Sequence, residues 1–358
     1  MHSRLSIWAP LPPDVYLRRP RQRLPYPLEE PGCRIVAWAR HAIYHGVGRL
    51  GLGPGDRVLV SAWHHGSEVE ALRRAGVGVR FFDPGDDLDP RPQDLEPLLD
   101  GSVRALHLTH ALGFPADARR WRRWCDERGL LLIEDAAQAW LAACDAGPVG
   151  SFGDLAVFCL YKTFGLPEGA ALVQRDPPPA VALDPRLGAV ELARRHGMWL
   201  AGRSALVYAA SAPLRRPKSY DPAEDFALRD PAAGPWRHTP FVLRRVVDEA
   251  AAERRRANYR TLLGVLGSHV PPAFAELPGG ASPFVFPIAV ADKPALLARL
   301  RERGVGTLDL WSVPHPSLPV GEFPQARRRR ETWVGLPVHQ ELRPRDLERI
   351  AAATLESL

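Results

Sequence analysis

Lys162 and Asp135 are the two side chains whose types and settings point most directly to chemistry. The lysine lies in FCLYKTFGLPEGAALV, residues Phe158 to Val173, and is one of three lysines in the 358-residue chain, the others being Lys218 and Lys293. Lys and Arg together number 47, so arginine fills nearly every position that asks only for positive charge. A position that keeps lysine in such a background needs an amine, which a guanidinium cannot replace. Lys162 follows the apolar run DLAVFCL and precedes a Gly- and Pro-containing loop, a setting largely out of water. Burial disfavours the ammonium form, and the neutral amine is the nucleophile that condenses with an aldehyde to a Schiff base. Asp135 ends the very apolar run LLLIED. An ionised carboxylate there is what a pyridoxal phosphate enzyme needs to keep its pyridine nitrogen protonated, so that the ring serves as an electron sink.

The elements that must position these groups follow from periodicity. Apolar residues at helical spacing (Ile35, Trp38, Ala42, Ile43, Val47, Leu50) predict a helix over 35–50, stopped by GLGPGD. RVLVSAW reads as a strand, HHGSEVEALRRAGV as a helix, VRFFDP as a strand and RPQDLEPLLDG as a helix. VRALHLTHALG is a strand, ARRWRRWCDERG a helix and LLLIEDAAQAW a strand running into a turn. Such alternation implies an α/β fold with a mostly parallel sheet covered by helices. Ligands of these sheets collect at the carboxyl ends of the strands. Attention therefore falls on Trp63, His64 and His65, on His110, and on Glu134, Asp135 and Gln138.

Residues 1–31, rich in Pro and Arg, read as an extended arm; 32–235 form the large domain and 236–358 a smaller C-terminal α+β domain. In the latter, VVDEAAAERRRANYRTLLGVL is a long helix, followed by SPFVFPIAV (strand), KPALLARLRERGV (helix), GTLDLW (strand) and RPRDLERIAAATLESL (helix). DPPPAVALDPRLG and SYDPAEDFALRDPAAGPW read as loops.

Composition narrows the function. The charge of +6 is scattered among acids, which argues against nucleic acid, and the densest basic run, ARRRRET at 326–332, reads as a solvated helix face. Cys33, Cys125, Cys144 and Cys159 have no CxxC spacing and no signal peptide precedes them, so reduced thiols and a cytoplasmic setting are expected. No apolar run has membrane-spanning length, which predicts no membrane partner. The His64–His65 pair lacks further ligands at metal spacing, so no metal is expected. GLGPGD lacks the Lys-Ser/Thr ending of a phosphate loop, and no GxSxG elbow marks a hydrolase.

EDAAQAW, GPVGSFGDLAVFCLYKT and PEGAALV together resemble the sugar-aminotransferase family called DegT/DnrJ/EryC1/StrS, within fold type I of the pyridoxal phosphate enzymes. LGLGPGDRVLVSAWHHGSEVEALRRAGVGVRFFDPGDDLDPRPQDLEPLL and FPQARRRRETWVGLPVHQELRPRDLERIAAA extend the likeness, which covers roughly 36–175 and 284–350 and is poor from 176 to 245. The resemblance implies a cytoplasmic homodimer with shared active sites. It further implies transfer of an amino group from a donor such as glutamate to a keto group on a sugar or sugar-like metabolite. Lys162 would form the Schiff base with pyridoxal 5'-phosphate and shuttle protons, Asp135 would pair with the pyridinium nitrogen, and Gln138 would bond the ring hydroxyl.

Several positions depart from the family pattern. The residues that supply an aromatic plate over the ring are here Trp63, His64 and His65, with counting in favour of His65. Ala39 and Arg40 stand where the family has a Gly-Thr pair at the phosphate, so Arg40 either clamps the phosphate or reaches a substrate anion. Cys159 replaces a phosphate-binding serine with a weaker donor. His315 resembles a substrate-proximal histidine, whereas His110 fits an interior role at least as well. The family's Asn-Tyr-Arg loop is not visible in 176–245. The alternative is another pyridoxal phosphate reaction, a dehydratase or lyase, on the same scaffold; retention of Lys162 argues against the family's dehydratases.

Overall fold

The computed structural model describes residues 4–174, 183–210 and 220–358. Its centre is a seven-stranded sheet of order β1-β9-β8-β5-β4-β2-β3. The strands are β1 (Cys33–Val36), β2 (Arg57–Ser61), β3 (Gly78–Phe82), β4 (Val103–Thr109), β5 (Leu131–Asp135), β8 (Leu155–Cys159) and β9 (Ala170–Val173). The hairpin strands β6 (Ala143–Cys144) and β7 (Gly147–Pro148) stand apart. β2, β3, β4, β5 and β8 are mutually parallel, while β9 runs antiparallel to both β8 and β1. β8 is buried at every residue, as a strand covered on both faces must be.

Two corrections to the sequence reading concern this domain. The first helix, α1 (Ala39–Arg49), begins after Ile35 and Val36, which pair in β1 with Ala171 and Ala170; an apolar pair at a sheet edge imitates a helical stripe over so short a window. RPQDLEPLLDG forms a single turn, α3 (Pro92–Leu95), with a 3₁₀ turn after it, since Pro97 interrupts the register. The expected helices α2 (Ser67–Arg74) and α4 (Ala118–Asp126) are present. The segment after β9 also holds α6 (Ala189–Ala201), α7 (Ala205–Ala210) and α8 (Pro222–Asp225). Parts of the two stretches read as loops pair instead as the parallel strands β10 (Asp184–Arg186) and β11 (Ala233–Trp236). Residues 176–182 and 219 of those stretches, with Lys218 just before the second, lie outside the described residues.

The second sheet, of order β12-β14-β13, consists of β12 (Phe286–Ala289), β13 (Leu308–Asp309) and β14 (Trp333–Leu336). It is packed by α10 (Ala251–Leu266), α11 (Lys293–Glu302) and α13 (Pro344–Leu355), through core residues such as Tyr259, Leu262, Leu296, Leu300, Leu347 and Ile350. The helix predicted over 246–266 begins later, at Ala251, as α10, and a separate helix, α9 (Thr239–Val246), precedes it. The arm lies on its own chain: Leu5 bridges Val305, and Leu11 and Val15 are fully buried. ARRRRET falls in α12 (Pro324–Thr332), but it is not a solvated face. Arg329 and Arg330 are 4% and 2% exposed, because their guanidinium groups bind backbone carbonyls of the large domain.

Candidate active site

At the carboxyl ends of β5 and β8 lies a cavity of about 210 Å³ whose walls include Lys162, Asp135, Gln138, His65, Ala39, Arg40 and Cys159. A wider, more open depression of about 420 Å³ beside Tyr26, Trp140 and Arg256 contains none of them, so size alone does not identify the site. Lys162 sits in α5 (Leu160–Thr163), a single turn that follows β8 directly. Asp135 is the last residue of β5, whose neighbours in the sheet are β4 and β8. Adjacent parallel strands thus deliver the amine and the carboxylate to one end of the sheet.

Asp135 is 8% exposed. Its Oδ1 accepts a hydrogen bond from the Ala137 amide at 2.9 Å, while Oδ2 has no donor closer than His107 Nε2 at 3.6 Å among the described residues. Burial pushes this carboxyl up, the His107 ring works against that, and Glu68 adds to it. A cation held against Oδ2 would favour the ionised form. The preceding Glu134, fully buried, accepts from the amides of Gly150 and Phe152 at 2.9 and 2.7 Å and from His110 Nε2 at 3.0 Å. His110 Nδ1 in turn accepts from the Ala116 amide, so His110 is a satisfied interior histidine that fixes the end of β5.

The N-cap residue of α1, Trp38, makes no side-chain capping bond. The Ala39 amide donates to the Cys159 thiol, which also bonds the Tyr161 hydroxyl and whose pKa burial pushes up. Arg40 Nη1 donates to the carbonyls of Asp225 and Ala227 at 3.0 and 2.7 Å, tying α1 to the segment after α8. Gln138 Oε1 accepts from the Leu112 amide, which orients its amide group at the cavity wall.

Residues 35–201 match the model of the DegT/DnrJ/EryC1/StrS aminotransferase family. Over that stretch, a little under half of its length, the chain is similar to that family. GDP-perosamine synthase of Vibrio cholerae is 30% identical over 135 residues, 37% of this chain and 37% of that protein. The dTDP-3-amino-3,4,6-trideoxy-alpha-D-glucose transaminase of Streptomyces venezuelae is 34% identical over 134 residues, 36% of this chain and 35% of its own. The chain therefore spans little more than a third of the length of these curated relatives. Across 99% of this chain and 98% of the other, the fold superposes on the PMP form of a putative sugar aminotransferase from Streptococcus pneumoniae, with a TM-score of 0.68 at 15% identity. The architecture is that of fold type I.

The two histidines after β2 part company. His65 borders the cavity, with Nδ1 at 3.2 Å from Ser67 Oγ and its ring edge-on to Phe226, and burial pushes its pKa down to about 4. His64 is not among the cavity-lining residues; it stacks on Phe81 at 5.4 Å, with the planes 7° apart. Trp63 is buried against Trp311 and Trp333. His315 also lies outside the lining, bonded to Ser317 Oγ at 2.8 Å and to Glu70 at 3.4 Å. Among the described residues, no group of three or more His, Cys, Asp or Glu side chains is placed to hold a metal ion, and no helix is long and apolar enough to cross a membrane.

Two contributors escaped the sequence reading. Arg255, 1% exposed on α10, donates through Nη2 to the carbonyls of Thr163 at 2.7 Å and Lys162 at 3.4 Å, and through Nε to Gln340 Oε1 at 2.8 Å. It stands in the run ERRR, where nothing in spacing separates it from its solvated neighbours. Trp8, from the arm, also lines the cavity, and a lone aromatic in a Pro-rich segment carries no periodic signal.

Proposed function

We propose that this protein is a pyridoxal 5'-phosphate dependent aminotransferase that moves an amino group from glutamate to the keto group of a sugar or sugar-like acceptor. The observation that carries the reading is the presence of Lys162 and Asp135 on the walls of one cavity, beside the N-terminus of α1. That donor set fits the cofactor: an amine for its aldehyde, a carboxylate for its ring nitrogen and helix amides for its phosphate. When bound, the cofactor supplies the electron sink that makes a carbon–hydrogen bond of the amino acid acidic.

The chain's own groups do the rest. Asp135, anchored by the Ala137 amide, holds the ring nitrogen positive; the α1 amides at Ala39 and Arg40 meet the phosphate; Gln138, oriented by Leu112, meets the ring hydroxyl. His65, on the cavity wall, would supply the plate over the ring. Lys162 Nζ takes a proton from the donor carbon and returns one to the acceptor carbon. A cytoplasmic homodimer belongs to the same reading. It is supported by four free cysteines and by Leu187, Val190 and Leu206, which stay 86%, 86% and 76% exposed.

The test is spectroscopic. Protein loaded with pyridoxal phosphate is yellow, and borohydride fixes the cofactor's mass on Lys162 in the wild type but not in Lys162→Ala. Glutamate alone then moves the absorbance from about 420 nm to about 330 nm. A wild type that stays colourless with added cofactor overturns the reading, and a yellow protein inert to glutamate points to the dehydratase or lyase alternative.

A further inference from the structure

Side chains of α1 grip a neighbouring segment at every second carbonyl. Arg40 Nη1 donates to the carbonyls of Asp225 and Ala227 at 3.0 and 2.7 Å, His41 Nε2 to that of Arg229 at 3.1 Å, and His45 Nε2 to that of Pro231 at 2.8 Å. A carbonyl only accepts, so both imidazoles carry a proton on Nε2. The spacing of two is that of extended chain, and the alternate residues Phe226 and Leu228 are 2% and 5% exposed. One helix thus holds residues 225–231 from end to end.

What that hold positions is the Phe226 ring. It stands edge-on to His65, with centroids 5.7 Å apart and planes at 84°, and it also meets Tyr220 at 5.6 Å and His315 at 5.4 Å. Tyr220 adds a second edge against His65, at 6.4 Å. Gly66 leaves room for the arrangement: its φ is 121°, and an added Cβ would stand 2.4 Å from Phe226 Cε1. Hydrocarbon therefore covers one side of the His65 ring, while another borders the cavity.

The charges around that ring come from every element packed on it. Burial dominates and pushes its pKa down to about 4; Lys162 of α5 and Arg40 of α1 act in the same sense, against Glu68 of α2 and Asp225 of α8. Its chain neighbour His64 is pushed down to about 3 by burial, and burial keeps the Tyr220 phenol neutral. The Ser67 amide points at His65 Nδ1 at 3.4 Å, a contact that a lone pair there satisfies and a proton would spoil.

We infer that Arg40 and Phe226 are positioning residues: α1 holds residues 225–231 so that Phe226 seals the His65 ring from water and keeps it an uncharged plate. The inference rests on the aminotransferase reading above, and it gives the Arg40 side chain a task other than clamping the phosphate. A neutral imidazole can lie against a ring whose nitrogen Asp135 holds positive, whereas an imidazolium would be a like-charge contact. Phenyl or indole in the same place has no proton to gain; histidine does, within reach of ordinary pH, and so needs the cover.

The first readout needs no cofactor. The full chain with 13C-labelled histidine is titrated by NMR, the His65 signal being the one missing from His65→Phe. The wild-type midpoint is expected near 4, and that of Phe226→Ala, which alters no charge, at least about 1.5 pH units higher. Phe226→Leu, which keeps apolar cover, should stay with the wild type. Arg40→Met, which changes no core residue, should raise the midpoint too and speed tryptic cleavage after the exposed Arg229 by about tenfold, read by mass spectrometry. The second readout is the Kd for pyridoxal phosphate: the ratio of Phe226→Ala to wild type should be at least about threefold larger at pH 5 than at pH 8. A smaller shift of the midpoint, or a ratio that grows less, overturns the inference, since a merely structural loss would weaken binding equally at both pH values. A wild type that stays colourless with added pyridoxal phosphate sinks the aminotransferase reading instead, and the cofactor-free titration keeps the two failures apart.

Discussion

His107 Nε2 lies 3.6 Å from Asp135 Oδ2 across neighbouring parallel strands, and the histidine is 1% exposed. Among the described residues neither ring nitrogen of His107 has a hydrogen-bond partner, and its Nε2 faces the carboxylate proposed to hold the cofactor ring. Replacement by Phe leaves burial of Asp135 opposed by less, and the carboxyl shifts further towards its neutral form. The expected outcome for His107→Phe is a rise of about tenfold in the Kd for pyridoxal phosphate, roughly 1.4 kcal/mol, measured by absorbance titration. An unchanged Kd would show that the Ala137 amide alone sets Asp135.

Arg330 joins the two sheets next to the site. Its Nη2 donates to the carbonyls of Ala62 and His64 at 2.8 and 3.0 Å, and its Nη1 to that of Trp311 at 2.7 Å. Arg330→Met strands three buried carbonyls, and a loss of about 3 kcal/mol is expected from urea unfolding. Arg330→Lys, with a single point of donation, should recover less than half of it.

Gly113 and Gly48 should answer opposite ways to alanine. At Gly113, φ is 92° and an added Cβ would stand 2.0 Å from the Ser282 carbonyl oxygen, in the strap that pairs 112–113 with 282–284. Gly113→Ala is expected to cost more than about 2 kcal/mol and to displace Phe284. Gly48 lies inside α1 with nothing within 4 Å of the new atom, and Gly48→Ala should stabilise by roughly 0.5–1 kcal/mol. Thermal melts of the two variants check both signs.

Acid should weaken the fold early. Burial pushes His41 down to about 4, and His64 and His339 down to about 3, from an ordinary 6.5. As pH falls below 6.5 the unfolded chain gains protons that the folded chain refuses, so stability is lost from that point downward. Each histidine contributes up to roughly 1.4 kcal/mol per pH unit until its folded pKa is reached. Urea midpoints at pH 7 and pH 5 measure the slope, and His64→Phe should flatten it by about one histidine's share.

Much of this site was legible in the sequence because its chemistry is local to strand ends. Lys162 and Asp135 each follow an apolar run that can only be a buried strand, and parallel topology then brings the two run ends together. Counting along the chain favoured His65 without separating it from His64; only His65 lines the cavity, since successive residues leaving a strand point to opposite sides. The buried arginines were not legible. Arg255, Arg329 and Arg330 sit among solvated arginines, and only the carbonyls that meet them, far away in sequence, make burial tolerable. The first helix was read too early for a related reason: whether Ile35 joins a stripe or a sheet edge depends on β9, well over a hundred residues later.

The Arg255 clamp bears on how such enzymes can be recombined. The turn that carries Lys162 takes its carbonyl partners from the C-terminal half, through Arg255 and through Gln340, whose amide also reaches Thr163 at 3.0 Å. A chimera that joins this chain's first 235 residues to a relative's remainder would therefore inherit a lysine without its backbone scaffold, unless the graft carries an arginine and a glutamine in the same places. Swapping acceptor preferences between members by exchanging whole halves is thus constrained at two positions that touch neither cofactor nor substrate.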